Sequence, residues 1–333
     1  MSAVPERPAT AQPGLPAGVE ARPARAEDLE ALVDLCIRCD VADLGTPDTD
    51  VDDVKALGRR PGYDRERHSV LVVAGDRPVG YGDVFEGEGF GMVDPGWWGR
   101  GIGGWLVGRI EELARLAADH PATDAPVPPG GHGGRPGLEV SAPAGDRAYA
   151  ELVGRAGYRR GRSTWLMRLE MDGPPPLPVW PEGVAVRTFD PGDEEGDVGA
   201  RAVHRLVQDA FADIGNQPPR SYEFWVEVNM ERSDFDPSLW FLAVDGNELV
   251  GVNLAYSGPL GGYVAQLAVR RDHRGRGLGL ALLRHGFGEL YRRGVREVYL
   301  HVDSENRTGA TRLYEQSGMR VQYRYDHWVK SLR

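Results

Sequence analysis

The run VAQLAVRRDHRGRGLGLALL, residues 264–283, decides how this chain folds. It opens as an apolar strand from Val264 to Val269, passes through a turn holding Gly275, Gly277 and Gly279, and closes on leucines at helical spacing. A helix N-terminus presents unpaired N–H groups and the positive end of the helix dipole, and glycines let backbone approach a phosphate closely. Arg270, Arg271, Arg274 and Arg276 crowd this turn, although the chain as a whole carries 50 acidic against 39 basic residues, a net charge of −11. Strand, turn and helix together read as an anion cradle.

Working outward, the same arrangement recurs. VDPGWWGRGIGGWL (Val93–Leu106) matches VRRDHRGRGLGLAL (Val269–Leu282), and three further anchors keep the same order. GVEARP (Gly18–Pro23) returns as GVAVRT (Gly183–Thr188), VLVVAGDRPVGYGDV (Val70–Val84) as WFLAVDGNELVGVNLA (Trp240–Ala255), and AYAELVGRAGY (Ala148–Tyr158) as ATRLYEQSGM (Ala310–Met319). Each copy reads as strand, one or two helices, a strand meander, glycine turn, helix, strand, helix, strand, which is an α/β or α+β layer fold twice over. The length of 333 residues suits two domains. The division expected is an unpacked tail at 1–17, a first domain at 18–172, a proline-stiffened linker at 173–182 and a second domain at 183–333. The Pro/Gly-rich run from Asp119 to Gly137 is expected to be unpacked, and the acidic run from Asp190 to Asp197 to start a solvated helix.

Composition narrows the function. A chain this acidic is a poor general binder of nucleic acid or anionic membranes. No stretch approaches 18 apolar residues and the N-terminus lacks a secretory apolar run, so a cytoplasmic protein is expected. The two cysteines, Cys36 and Cys39, lie in an amphipathic helical pattern without a second ligand pair, so they read as ordinary core or surface residues and no metal site is expected. A P-loop would need GxxxxGK[ST], which neither turn has. Gly99, Gly101 and Gly104 spell GxGxxG, but no acidic residue closes a second strand about 20 residues on, which argues against a dinucleotide fold and a redox function.

The pattern Arg274-x-x-Gly277-x-Gly279 after a strand resembles the pyrophosphate signature of the GNAT superfamily of acetyl-CoA-dependent N-acetyltransferases. The stretch from Asn306 through Leu313-Tyr314-Glu315 to Gly318 is similar to that superfamily's second motif, and the doubled chain resembles its tandem members from actinobacteria. The resemblance implies two GNAT-like domains, each a mixed, mostly antiparallel sheet flanked by helices, with acetyl-CoA as acyl donor. It also implies roles. Backbone groups of Leu267, Ala268 and Val269 would bind the pantetheine arm, Leu267 helping to polarise the thioester carbonyl. Arg274, Gly275, Arg276, Gly277, Leu278, Gly279 and Leu280 would hold the pyrophosphate, Asn306 would contact the arm, and Tyr314 would protonate the departing thiolate.

The first copy departs from the pattern: Trp98 stands where Arg274 does, Val153 where Tyr314 does, and Gly145 where Asn306 does. Val93, Gly99, Arg100, Gly101, Ile102, Gly103 and Gly104 still offer backbone for a second coenzyme site without chemistry. The general base is the open position. An alkylammonium of pKa about 10.4 must lose a proton before attack, and where related enzymes carry a strand glutamate this chain has Tyr263 or Gln266. Asp209, Asp213, Glu223, Tyr263 and His301 are the base or substrate candidates, with Glu227 and Asp303 beside them. The expected activity is acetyl transfer to a small-molecule amine (an amino sugar of mycothiol type, an antibiotic or a polyamine) by a monomer or homodimer. The alternatives are a non-catalytic acyl-CoA sensor and an acetyltransferase of protein N-termini or lysines.

Overall fold

The computed structural model describes residues 13–332 apart from 48, 50, 52, 53, 56, 57, 59–61, 120–136, 192–195, 213–219 and 306–308. The chain divides into two compact units, one running to Gly161 and taking back His327 onward, the other spanning Arg162–Asp326.

In the first unit, β1 (Glu20–Arg22), β2 (Ser69–Ala74), β3 (Arg77–Phe85) and β4 (Glu88–Val93) form an antiparallel meander. β5 (Gly137–Pro143) then pairs in parallel with β4. Helices α1 (Leu29–Leu44), α2 (Ile102–Asp119) and α3 (Arg147–Arg155) complete it. The second unit repeats the order. β7 (Val184–Thr188), β8 (Trp240–Asp245), β9 (Glu248–Gly258) and β10 (Gly261–Val269) are antiparallel, and β11 (Glu297–Asp303) is parallel to β10. Its helices are α4 (Gly196–Ala212), α5 (Tyr222–Asn229), α6 (Leu278–Arg292) and α7 (Ala310–Gln316). Each β-hairpin glycine adopts the left-handed φ its two-residue turn requires, 61° at Gly75 and 59° at Gly246.

The α2 and α6 helices pack on equivalent glycines. A Cβ on Gly80 would lie 3.2 Å from Ile102 Cγ2, and one on Gly251 would lie 3.0 Å from Leu282 Cδ1. Removing the side chain lets helix and sheet close up, and the apolar faces of both helices are buried there, Ile102, Leu106, Leu278 and Leu282 all being at most 2% exposed.

The units differ from the sequence division at 172/183 because two strands change place. β6 (Arg159–Glu170), which ends the first repeat, pairs antiparallel with β11 from Thr164 to Glu170 and places Met167 and Leu169 in the second unit's core. β12 (Arg320–Ser331), which ends the second repeat, returns its last residues to the first unit, where His327 bonds Glu139 at 2.8 Å and Lys330 bonds Glu111 at 2.6 Å. Periodicity assigns a strand to the copy it is spelled in, but ladder pairing follows space. The expected tail also changes: residues 1–12 lie outside the described residues, whereas Leu15 packs against the first unit's core. The run from Asp119 to Gly137 and the acidic stretch near 193 lie largely outside the described residues as well.

Candidate active site

β10 and β11 pair at two rungs, Gly262 with Val298 and Tyr263 with Tyr299, and then part. On its other edge β10 stays paired with β9 as far as Val269, with a register shift between Val264 and Gln266 that bends it. The second edge of β10 therefore faces a cavity of about 850 Å³, every lining residue of which belongs to the second unit. Leu267, Ala268 and Val269 line it, as do Arg274, Gly275, Gly277, Leu278, Gly279 and Leu280 of the turn. A strand edge open to a cavity supplies backbone donors and acceptors to an extended ligand.

The turn takes its shape from Gly275 and Gly277, at φ 73° and 83°. Arg274 donates from Nε to the Val269 carbonyl at 3.0 Å, tying the turn to the strand end. A Cβ on Gly279 would lie 3.0 Å from Leu313 Cδ2, so α6 and α7 approach closely at the cavity wall. The arginine cluster is less available than its spelling suggests. Arg270 is engaged by Glu248 at 2.7 Å and Asp272 at 2.8 Å, and Arg276 is exposed and does not line the cavity. The cradle rests on backbone and Arg274 more than on a cloud of positive charge.

Tyr314, half-buried on α7, lines the same cavity, and burial pushes its phenol up to about 12. It therefore holds its proton at neutral pH, as an acid must before it donates. Tyr263 and His301, which also line the cavity, are brought together, the phenol oxygen 3.1 Å from His301 Nδ1. The other base candidates fare differently. Gln266 accepts from the buried Trp225 indole at 2.9 Å and so is structural. Asp209 and Glu223 are exposed and away from the cavity lining, which corrects their candidacy: both sit on helix faces turned to solvent. Asp213 and Asn306 lie outside the described residues.

Sequence reasoning missed Arg162 and Thr164 of β6 and Phe211 of α4, all of which line the cavity. Asp303, weighed as a base, lines it too and lies 3.5 Å from Arg162. β6 is spelled in the first repeat and carries no motif, so only its pairing with β11 could have pointed there.

The first unit keeps the frame. β4 and β5 also pair at two rungs, Glu88 with Glu139 and Gly89 with Val140. Gly99 and Gly101 adopt φ 74° and 88°, a Cβ on Gly103 would lie 3.3 Å from Leu152, and the Trp98 indole donates to the Val93 carbonyl at 2.8 Å. Arg100 lies over the Trp97 ring at 4.5 Å, and fully buried Val153 fills the position of Tyr314. Among the described residues no cluster of three or more His, Cys, Asp or Glu side chains could hold a metal, and no helix is long and apolar enough to cross a membrane. Cys36 and Cys39 are buried thiols, each pushed up to about 12 chiefly by that burial, which makes them poor nucleophiles.

Comparison with known proteins agrees with this geometry. The family model of the GNAT acetyltransferases matches residues 200–319. A mycothiol acetyltransferase of Geodermatophilus obscurus is 36% identical over 75% of this chain and 78% of its own length. The crystal structure of a GCN5-related N-acetyltransferase from Sphaerobacter thermophilus is 36% identical, with a TM-score of 0.76 over 96% of this chain and 97% of that one. A tandem GNAT protein from the clavulanic acid biosynthesis pathway shares the fold at 20% identity, with a TM-score of 0.66 over 95% of this chain and 99% of that one. The chain belongs to the GNAT family of acetyltransferases, as an N-acetyltransferase with two copies of the fold in one polypeptide.

Proposed function

We propose that the second unit transfers acetyl from acetyl-CoA to the primary amine of a small molecule by direct attack within a ternary complex. The observation that carries this is the parting of β10 from β11, which opens a strand edge, a glycine turn and Tyr314 onto one cavity. A volume of about 850 Å³ is in the range of sites that enclose ligands of cofactor size. In this reading the turn from Arg274 to Leu280 holds the pyrophosphate, and Leu267, Ala268 and Val269 hold the pantetheine arm. The Leu267 backbone stabilises the oxyanion as the amine nitrogen bonds to the thioester carbon.

His301, held by the Tyr263 hydroxyl, takes the proton the ammonium must lose. Tyr314 returns a proton to sulfur as the C–S bond breaks. The acceptor class is an amino sugar, an antibiotic or a polyamine; the name of the Geodermatophilus obscurus relative supports a mycothiol-type acceptor. The first unit, with Val153 in place of the acid, is non-catalytic.

Initial rates against pH test the assignment. His301→Ala is expected to remove the acidic limb of kcat/KM for the amine, and Tyr314→Phe to lower kcat while KM for acetyl-CoA stays within about threefold. An unchanged pH profile in His301→Ala would remove that residue from the mechanism.

A further inference from the structure

The glycine turn carries one buried titratable side chain that no step of the proposed transfer uses. His273, just before Arg274, has a side chain only 9% exposed and lines the cavity. Both of its ring nitrogens meet a carboxylate. Nδ1 lies 2.9 Å from Asp272 Oδ1, and Nε2 lies 3.2 Å from Asp245 Oδ2. An ionised carboxylate only accepts, and a neutral imidazole has one N–H to give. Satisfying both contacts takes the imidazolium, which donates from each nitrogen.

The charges around the ring bear on that proton. Asp245 comes from the end of β8, while Asp272 and Arg270 belong to the turn itself. Arg270 Nη2 lies 3.4 Å from Nδ1, at the limit of hydrogen-bond range, and its Nε and Nη1 donate to Asp272 and to Glu248 at the start of β9. Hydrogen bonds from Arg270 and His273 hold Asp272 down to about 2, so it stays an acceptor. Arg274 is turned to the Val269 carbonyl, and Arg271 and Arg276 are exposed. Three carboxylates thus meet one guanidinium in this network, and a positive ring brings it closer to balance.

The network also joins two elements, because Asp245 and Glu248 flank the β8–β9 hairpin and His273 and Arg270 bind the turn to it at both points. The first unit keeps an arginine–acid tie at its hairpin, Arg77 with Asp94, but has no counterpart of the imidazole. Trp97 stands where His273 does, and Ala74 where Asp245 does, when Gly101 is matched to Gly277 and Gly75 to Gly246.

We propose that His273, protonated on both nitrogens and held between Asp245 and Asp272, is a positioning residue that keeps the turn in its coenzyme-binding shape and makes acetyl-CoA affinity depend on that proton. This rests on the proposed role of the turn as the seat of the pyrophosphate. When the ring loses a proton as pH rises, one carboxylate contact and the positive charge beside the turn go with it, and affinity falls.

Calorimetric Kd values for acetyl-CoA between pH 6 and pH 9 test this with the full-length wild type, His273→Gln and Asp245→Asn. The coenzyme's own ionisations are common to all three and cancel in the ratios. His273→Gln is expected to bind about tenfold more weakly than wild type at pH 6 and within about threefold of it at pH 9. Asp245→Asn, whose site is 41% exposed, tests the same link without touching the buried ring. It should keep the pH dependence but move its midpoint to lower pH, because the imidazolium loses a counter-charge. In the coenzyme-free protein at pH 6, the imidazole nitrogen resonances of His273, assigned by their loss in His273→Gln, should show two protonated nitrogens. A neutral ring there, accepting from Arg270 on Nδ1, overturns the proposal. So does a ratio of His273→Gln to wild type that is the same at both ends of the range, since the side chain then acts by packing alone, or a midpoint unmoved in Asp245→Asn. A folded wild type that binds no acetyl-CoA at any pH overturns the coenzyme reading of the turn and the positioning role together, whereas failure of the proton link alone leaves binding intact.

Discussion

At the end of β4 the Trp98 indole N–H bonds the Val93 carbonyl at 2.8 Å; at the end of β10 the Arg274 Nε–H bonds the Val269 carbonyl at 3.0 Å. The same hinge between strand and turn is closed by a neutral ring in one unit and a cation in the other. A second contact is reversed in sign. Arg77, opening β3, pairs with Asp94 after β4 at 2.9 Å, while Glu248, opening β9, pairs with Arg270 after β10 at 2.7 Å. Backbone conformation, glycine packing and tie points have been kept where side-chain chemistry has not. The fold of a repeat rests on close packing and left-handed turns, which many side chains satisfy. The proposed reaction asks in addition for an acid on α7 and a cation at the turn, which few side chains supply.

The strongest challenge to this contrast is to cut the repeats apart. A fragment starting at residue 183 follows the sequence repeat but loses β6, and with it Leu166, Met167 and Leu169, at 2%, 0% and 9% exposure. Burial of three such side chains is worth roughly 5 to 9 kcal/mol, comparable to the whole stability of a domain. Residues 183–333 are expected to show no cooperative thermal transition, and residues 159–326 to melt cooperatively. A sharp melt from the shorter fragment would show that β6 is dispensable. Next in size is the proposed acid. Tyr314→Phe should lower kcat about a hundredfold or more. Val153→Tyr in the first unit should add no activity and should cost about 1 to 3 kcal/mol, because that site is fully packed. Activity gained from Val153→Tyr in a Tyr314→Phe background would break the division of labour.

Much of this was legible in the sequence for a physical reason. Turn glycines at 275 and 277 are required by backbone conformation wherever the strand-turn-helix occurs, so spelling and structure coincide there. The helix that brings Tyr314 to the cavity wall was legible because its motif is local. Arg162 was not, since a strand alternates sides with a period of two in any sheet and nothing in RRGRSTWLMRLE says which copy's β11 it will join. Neither was the commitment of Arg270 to Glu248, a contact between positions 22 apart in the chain. Local conformation is written locally, while partnership across a sheet is settled by the folded pairing.

A smaller effect sharpens the frame against the function. Gly101 and Gly277 hold φ 88° and 83° with nothing within 4 Å of an added Cβ, so alanine at either meets backbone strain but no clash. Each substitution should cost about 1 kcal/mol in a denaturant melt. Only Gly277→Ala should also raise KM for acetyl-CoA, by several-fold. Equal effects on KM would mean that the first turn takes part in the coenzyme site of the working enzyme.

The smallest expected effect lies in the aspartates beside the two turns, Asp94 and Asp272, and depends on pH and salt. Burial acts to raise the pKa of Asp94, but hydrogen bonds from the Gly96 N–H, Arg77 and Arg38 outweigh it and leave the carboxyl lowered. Hydrogen bonds from Arg270 and His273 likewise hold Asp272 down to about 2. A carboxylate whose folded pKa is depressed contributes stability above its unfolded value near 4, and that contribution disappears as pH falls through the folded value. Both units should therefore weaken as the pH falls below about 4, the second unit down to about pH 2, and Asp94→Asn or Asp272→Asn should each flatten part of that slope. The side chain of Asp94 is 4% exposed and that of Asp272 is 64% exposed, so added salt screens the second far more than the first. In 1 M salt the slope removed by Asp272→Asn should vanish while that removed by Asp94→Asn persists. Equal salt sensitivity would show that the buried aspartate beside the first turn and the exposed one beside the second are energetically alike.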